Sequence, residues 1–79
     1  MRVIGSIPHP KLSISIFSMN EKYQIRFEAG NMEQIFKIAH NEVNGIEGIK
    51  KMVDDEFLEK VMIRFNEMFL AFNHAKEKQ

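Results

Sequence analysis

The fold is decided by residues 23–40, which read YQIRFEAGNMEQIFKIAH. On both sides of the Gly30-Asn31 pair, apolar side chains alternate with polar ones, which is the period-two pattern of half-buried β-strands. Glycine and asparagine tolerate the positive φ that tight hairpin turns require. The stretch therefore predicts a β-hairpin with strands over residues 23–28 and 32–39.

Two further strands are predicted upstream of this hairpin. An alternating run predicts a strand over residues 11–17, and a shorter β-rich run predicts one over residues 2–7. The shorter run ends at Pro8 and Pro10, and proline cannot donate to a strand ladder, so this strand is expected at an edge. Short connections then predict a four-stranded antiparallel meander in the order 1-2-3-4.

Two helices are predicted after the meander, over residues 45–53 and 55–76. Asn44 is the expected cap of the first, with Glu47 completing a weak capping box, and Asp54 is the expected cap of the second. At roughly 100° per residue the apolar faces of the two segments do not line up. This mismatch predicts a bend near Asp54.

The long helix carries a wide apolar stripe that should cover the inner face of the sheet. The whole chain is therefore predicted to be one α+β domain of residues 1–79, a meander packed against a long C-terminal helix that follows a short one. The eight stripe residues are Phe57, Leu58, Val61, Met62, Phe65, Met68, Phe69 and Phe72.

The composition of the chain argues against disulfides, metal sites and binding to polyanions, and its motifs argue against common catalytic sites. There is no cysteine for a disulfide or a thiolate metal site, and the three histidines are scattered. The chain has 11 basic and 11 acidic residues and a net charge of zero, so no overall field attracts nucleic acid or an anionic membrane. No phosphate-binding glycine loop or nucleophile elbow is present. We expect a cytoplasmic, non-enzymatic protein without metal, cofactor or membrane partner.

The back of the long helix carries the main functional signal. Ile63 and Leu70 lie seven residues apart, opposite the stripe, on a polar face that also holds Glu59 and Asn66. A domain this small usually needs a second source of stability, and oligomerisation is the one left when disulfides and metals are absent. These four residues are therefore the candidate interface of a homodimer or of a complex with another protein.

Two other functions are kept as alternatives. On the outer sheet face Phe17, Arg26 and Lys37 are expected to lie together, as in a single-stranded nucleic-acid-binding sheet, although acidic side chains share that face. His40 follows the inner side of the fourth strand, so the second alternative is a small-ligand or catalytic site between that strand and the first helix.

The order of four meander strands and one crossing helix, from Arg2 to Lys76, resembles the repeat unit of the PUR family of single-stranded nucleic-acid binders. The likeness is one of topology, and no residue of that family's site is carried over. The opening Ile4-Gly5-Ser6-Ile7-Pro8-His9-Pro10 is similar to that of short bacterial proteins of ββββα build, which implies no activity.

Overall fold

A computed structural model describes residues 1–79, and it confirms the predicted α+β architecture. A four-stranded antiparallel sheet in the order β1-β2-β3-β4 is followed by a 3₁₀ turn, a short helix and a long helix. The elements are β1 Arg2–Ile7, β2 Ser13–Met19, β3 Lys22–Ala29, β4 Met32–Ala39, the 3₁₀ turn His40–Glu42, α1 Gly45–Met52 and α2 Asp55–Lys76.

Two tight hairpins set the register of the sheet. The β2–β3 turn is Asn20-Glu21 and the β3–β4 turn is Gly30-Asn31, and the first residue of each turn has a positive φ, 52° at Asn20 and 60° at Gly30. Asparagine and glycine adopt this conformation at low cost. The expected positive φ of the second hairpin is therefore confirmed at Gly30, whereas Asn31 does not adopt one.

The predicted bounds of three elements are corrected. Strand β2 lies two residues later than the predicted 11–17, because the N–H groups of Lys11 and Leu12 both donate to His9 Nδ1 at 3.1 Å and form a turn. The positive φ of Asn20 shortens the following turn to two residues, so β3 begins at residue 22 and extends to residue 29. Helix α1 ends one residue early, at residue 52.

The two helix starts differ in how they are capped. Asp54 has an extended backbone and accepts a hydrogen bond from Phe57 N at 2.9 Å, which confirms it as the cap of α2. The expected capping box at Asn44 is wrong: its side chain makes no cap hydrogen bond, because its φ of −88° and ψ of 64° are not the extended values that a capping residue needs. The bend between the helices lies at residues 53–54, as expected.

The core lies between the helices and the inner face of β2 and β3. Both helices contribute to it, α1 through Ile49 and Val53 and α2 through Val61 and Phe65. The helices therefore cover the apolar face of these two strands. The sheet residues of this cluster are Leu12, Ile14, Ile16, Ile25 and Phe27.

Helix α2 runs antiparallel to β4 and extends beyond it. Gln34 Nε2 donates to Val61 O at 3.0 Å, and Phe69 lies over the turn at Gly30. A 22-residue helix is about 33 Å long, whereas an eight-residue strand is about 27 Å. Phe72, predicted as core, is consequently 44% exposed.

The molecule is less compact than a typical domain of its length. Its radius of gyration is 14.2 Å, against about 12 Å for a compact domain of this length. Its accessible surface is 5714 Å², whereas a monomer of this mass exposes about 5000 Å². Only 11 of 79 residues are buried, so much of the apolar surface is left uncovered.

Neither helix combines the length and the apolar character that crossing a bilayer requires.

Candidate functional site

The residues predicted to lie opposite the apolar stripe are on the exposed side of α2. Ile63 is 54% exposed and Leu70 is 63% exposed, on the side of the helix that faces away from the sheet. Glu59 and Asn66 are exposed beside them. A shallow depression lined by Lys60, Ile63, Arg64 and Glu67 lies beside Ile63. The structure thus brings the four candidate interface residues together on one accessible strip.

The outer sheet face has a different character from the one expected of a nucleic-acid platform. Phe17 is only 8% exposed, because the Arg26 guanidinium carbon lies 4.5 Å from the centre of its ring. Arg26 Nε in turn lies 4.0 Å from a carboxylate oxygen of Glu33. Lys37 is exposed on the same face, opposite Gln24 of β3.

On this face the aromatic ring and the arginine that a single strand of nucleic acid would bind both contact other side chains of the chain. Base stacking needs an open aromatic face, and the Phe17 ring is covered by a side chain of its own chain. Phosphate contacts need free cations, and Arg26 lies beside a carboxylate. Of the three residues predicted for this role, Lys37 alone lies neither against the ring of another predicted residue nor beside a carboxylate.

His40 lies at the far end of β4, where the 3₁₀ turn begins. Its ring packs against Tyr23 with 4.2 Å between ring centroids and 41° between planes. His40 Nε2 is 3.5 Å from Ser18 Oγ, beyond the 2.7–3.2 Å range typical of such hydrogen bonds. An open depression beside it is lined by Glu21, Ala39, His40 and Asn41.

This arrangement supports a packing role for His40 better than a catalytic one. A nucleophilic serine needs a base at hydrogen-bond distance and a third group that orients the base. Ser18 and His40 lack the short contact, and no side-chain partner orients the other ring nitrogen. No group of three His, Asp or Glu side chains is placed to hold a metal ion.

The expectations from sequence missed one accessible surface, on β4. Ile35 is 43% exposed on the outer face, and Phe36 is 37% exposed on the inner face although its ring packs on Phe57. Both residues belong to β4, one of the two edge strands of the sheet. The alternation of polar and apolar residues in β4 predicts a strand, and the predicted order of the strands places this strand at an edge.

Comparison of the chain with protein-family models, with curated proteins and with solved structures found no match. The likenesses to the PUR repeat and to short bacterial proteins therefore stay predictions.

Proposed function

We propose that this chain is a non-enzymatic protein-interaction module that works as a homodimer or with another protein, and that the back of α2 is a binding face. The observation that carries the proposal is the paired exposure of Ile63 and Leu70, two helical turns apart. A zero net charge favours the same class of partner, because the chain neither repels a second copy nor attracts a polyanion. Its lack of cysteine fits a reducing compartment such as the cytoplasm.

Ile63 and Leu70 are incompletely buried in the single chain. Covering the exposed half of each aliphatic side chain contributes roughly 1–2 kcal/mol per residue. An antiparallel pair of α2 helices about a two-fold axis near Asn66 would bring Ile63 of one copy against Leu70 of the other. The same arrangement would place Glu59 opposite His74, which are both exposed. The strip is therefore suited to binding an apolar surface of similar size.

Light scattering coupled to size-exclusion chromatography tests this function. At high micromolar concentration the chain is expected at twice its 9.3 kDa mass. The double variant Ile63→Glu with Leu70→Glu is expected to have a lower mass in solution than the wild-type chain if the α2 strip is the self-association surface. A matched control is Val3→Glu with Met52→Glu, which places the same charges at two other exposed apolar positions.

A strictly monomeric wild-type chain would remove the homodimer. An unchanged mass for the Ile63→Glu, Leu70→Glu variant would clear the α2 strip of self-association. Loss of mass in the control pair as well would assign the effect to net charge and not to this face. Circular dichroism on each variant separates loss of association from loss of fold.

A further inference from the structure

The two edges of the sheet are protected to different degrees. Edge strand β1 has six residues, carries a β-bulge between Val3 and Gly5, and is followed by Pro8. These features discourage pairing with another chain. Edge strand β4 has eight residues in unbroken register with β3 and contains neither proline nor glycine. The edge formed by β4 is therefore open to a further strand.

The register tells which backbone groups of β4 are free. A two-residue hairpin makes Ala29 and Met32 a hydrogen-bonded pair, and bonded pairs recur at every second residue along the ladder. The bond from His40 N to Glu21 O at 2.9 Å continues that alternation. Even-numbered residues of β4 therefore bond to β3, and odd-numbered residues direct their N–H and C=O groups away from the sheet.

The free groups belong to Glu33, Ile35 and Lys37. The next odd-numbered N–H, that of Ala39, already donates to Glu42 Oε1 at 3.1 Å. The open segment is therefore centred on Ile35 and has an acidic residue two positions before the centre and a basic residue two positions after it. Such a segment is complementary to its own antiparallel copy.

We propose that β4 pairs antiparallel with β4 of a second copy of this chain, about a two-fold axis at Ile35. In this register Ile35 lies opposite its own copy, and Glu33 of each chain lies opposite Lys37 of the other. The three free residues on each chain then form about six backbone hydrogen bonds across the interface. The product is a continuous eight-stranded sheet.

Three features of the edge agree with this pairing. Glu33 lies opposite Glu28 in the β3–β4 register, with Arg26 Nε 4.0 Å from its carboxylate, so a second cation opposite Glu33 relieves a like-charge pair. Exposed Ile35 gains an apolar neighbour on the outer face. The partial exposure of Phe36 shows that α2 leaves the inner flank of the edge open.

This inference rests on the proposed self-association and names a different surface for it. Ile63 and Leu70 lie on the side of α2 that faces away from the sheet, so pairing along β4 leaves them accessible. The α2 strip then remains free to bind another protein in each half of the dimer.

Charge reversal at the edge provides the test, with light scattering and sedimentation as the measurements. Glu33→Lys places two cations opposite each other at both ends of the interface, and Lys37→Glu places two anions there. Each single variant is expected to weaken self-association at least about tenfold. The double variant Glu33→Lys with Lys37→Glu restores opposite charges and is expected to dimerise like the wild type.

Mixing the two single variants gives a result that a change in folding cannot imitate. A Glu33→Lys chain has two cations on its edge and a Lys37→Glu chain has two anions, so the pair is complementary at both ends. Equimolar mixing is expected to form a heterodimer from two weakly associating chains. Failure of both the mixture and the double variant to recover association would overturn the β4 register.

Amide hydrogen exchange by NMR tests the backbone part of the proposal on the wild-type chain. In the dimer the N–H groups of Glu33, Ile35 and Lys37 are expected to become protected as concentration rises, whereas those of Gln34 and Phe36 are protected throughout. Fast exchange at the odd positions in a demonstrated dimer would overturn this interface and leave the proposed function standing. A chain that stays monomeric at every concentration would end this proposal together with the homodimer, and binding to another protein through the α2 strip would be the part of the proposed function that stands.

Discussion

Gly5 provides a direct test of how α1 packs on β1. A Cβ atom at this position would overlap Cδ1 of Ile46, whereas Cγ1 of the same side chain stands at 3.6 Å, an ordinary contact. The obstruction therefore comes from one terminal methyl group. Gly5→Ala should be destabilising, and Ile46→Val, which removes only Cδ1, should make room for the alanine.

The expected magnitudes follow from these contacts. Overpacking by one methyl group typically costs about 1–3 kcal/mol, and the lower entropy of the unfolded alanine chain offsets about 0.4–1 kcal/mol of that. Because the obstructing atom is the end of a partly buried side chain that can turn aside, the cost lies in the lower part of this range, and Gly5→Ala should lose roughly 0.5–1 kcal/mol of unfolding free energy. Ile46→Val alone should lose about 0.5 kcal/mol, the low end for this change, because Ile46 is only partly buried.

The assay is urea unfolding followed by circular dichroism, with all four chains at one protein concentration because association shifts apparent stability. The double variant should be at least as stable as Ile46→Val alone, which gives a favourable coupling energy of roughly 0.5–1 kcal/mol or more. Strictly additive effects would show that Cδ1 of Ile46 does not obstruct a side chain at residue 5.

Three smaller changes test other local contacts by the same unfolding assay. His9→Ala should lower the free energy of unfolding by about 1–2 kcal/mol, because Nδ1 of His9 accepts two backbone N–H groups. His9→Asn should retain part of this stability, since asparagine also offers an acceptor. Equal losses for the two variants would show that the turn does not depend on a side-chain acceptor. Asp54→Ala should cost about 1 kcal/mol through loss of the cap on Phe57 N, with Asp54→Asn close to wild type, and a neutral alanine would refute the cap. Gln34→Met, which keeps the length of the side chain, should cost about 1 kcal/mol by removing the bond to Val61 O; a stabilised variant would mean that this bond contributes nothing net.

The elements that could be predicted from sequence are those specified by local rules. The β3–β4 hairpin follows from strict alternation and a turn residue suited to positive φ at Gly30. The cap at Asp54 and the change of apolar phase around it define the break between the helices. The exposure of Ile63 and Leu70 also follows from helical spacing, because the face opposite a buried stripe has nowhere to pack.

What could not be predicted depends on contacts between elements. Nothing local indicates that the His9 ring accepts the two N–H groups that delay the start of β2. Phe72 continues the stripe in sequence, but its exposure depends on where the sheet ends beneath α2. Phe17 is covered because Arg26, on the neighbouring strand, folds over its ring, and that choice of partner is a property of the assembled sheet.

The two proposed surfaces lead to distinguishable assemblies, because β4 forms a sheet edge and the α2 strip faces away from the sheet. If only β4 pairs, the wild-type chain stops at a dimer that presents two α2 strips, and a partner with two matching sites gains avidity without any new contact. If both surfaces pair with copies, two different two-fold axes operate on one chain and the assembly grows beyond a dimer. The Ile63→Glu, Leu70→Glu variant should then reduce that larger assembly to a dimer, and Glu33→Lys should do the same through the other surface. A wild-type dimer that Glu33→Lys dissociates and Ile63→Glu, Leu70→Glu leaves intact would assign self-association to the sheet edge and leave the helix for a different protein.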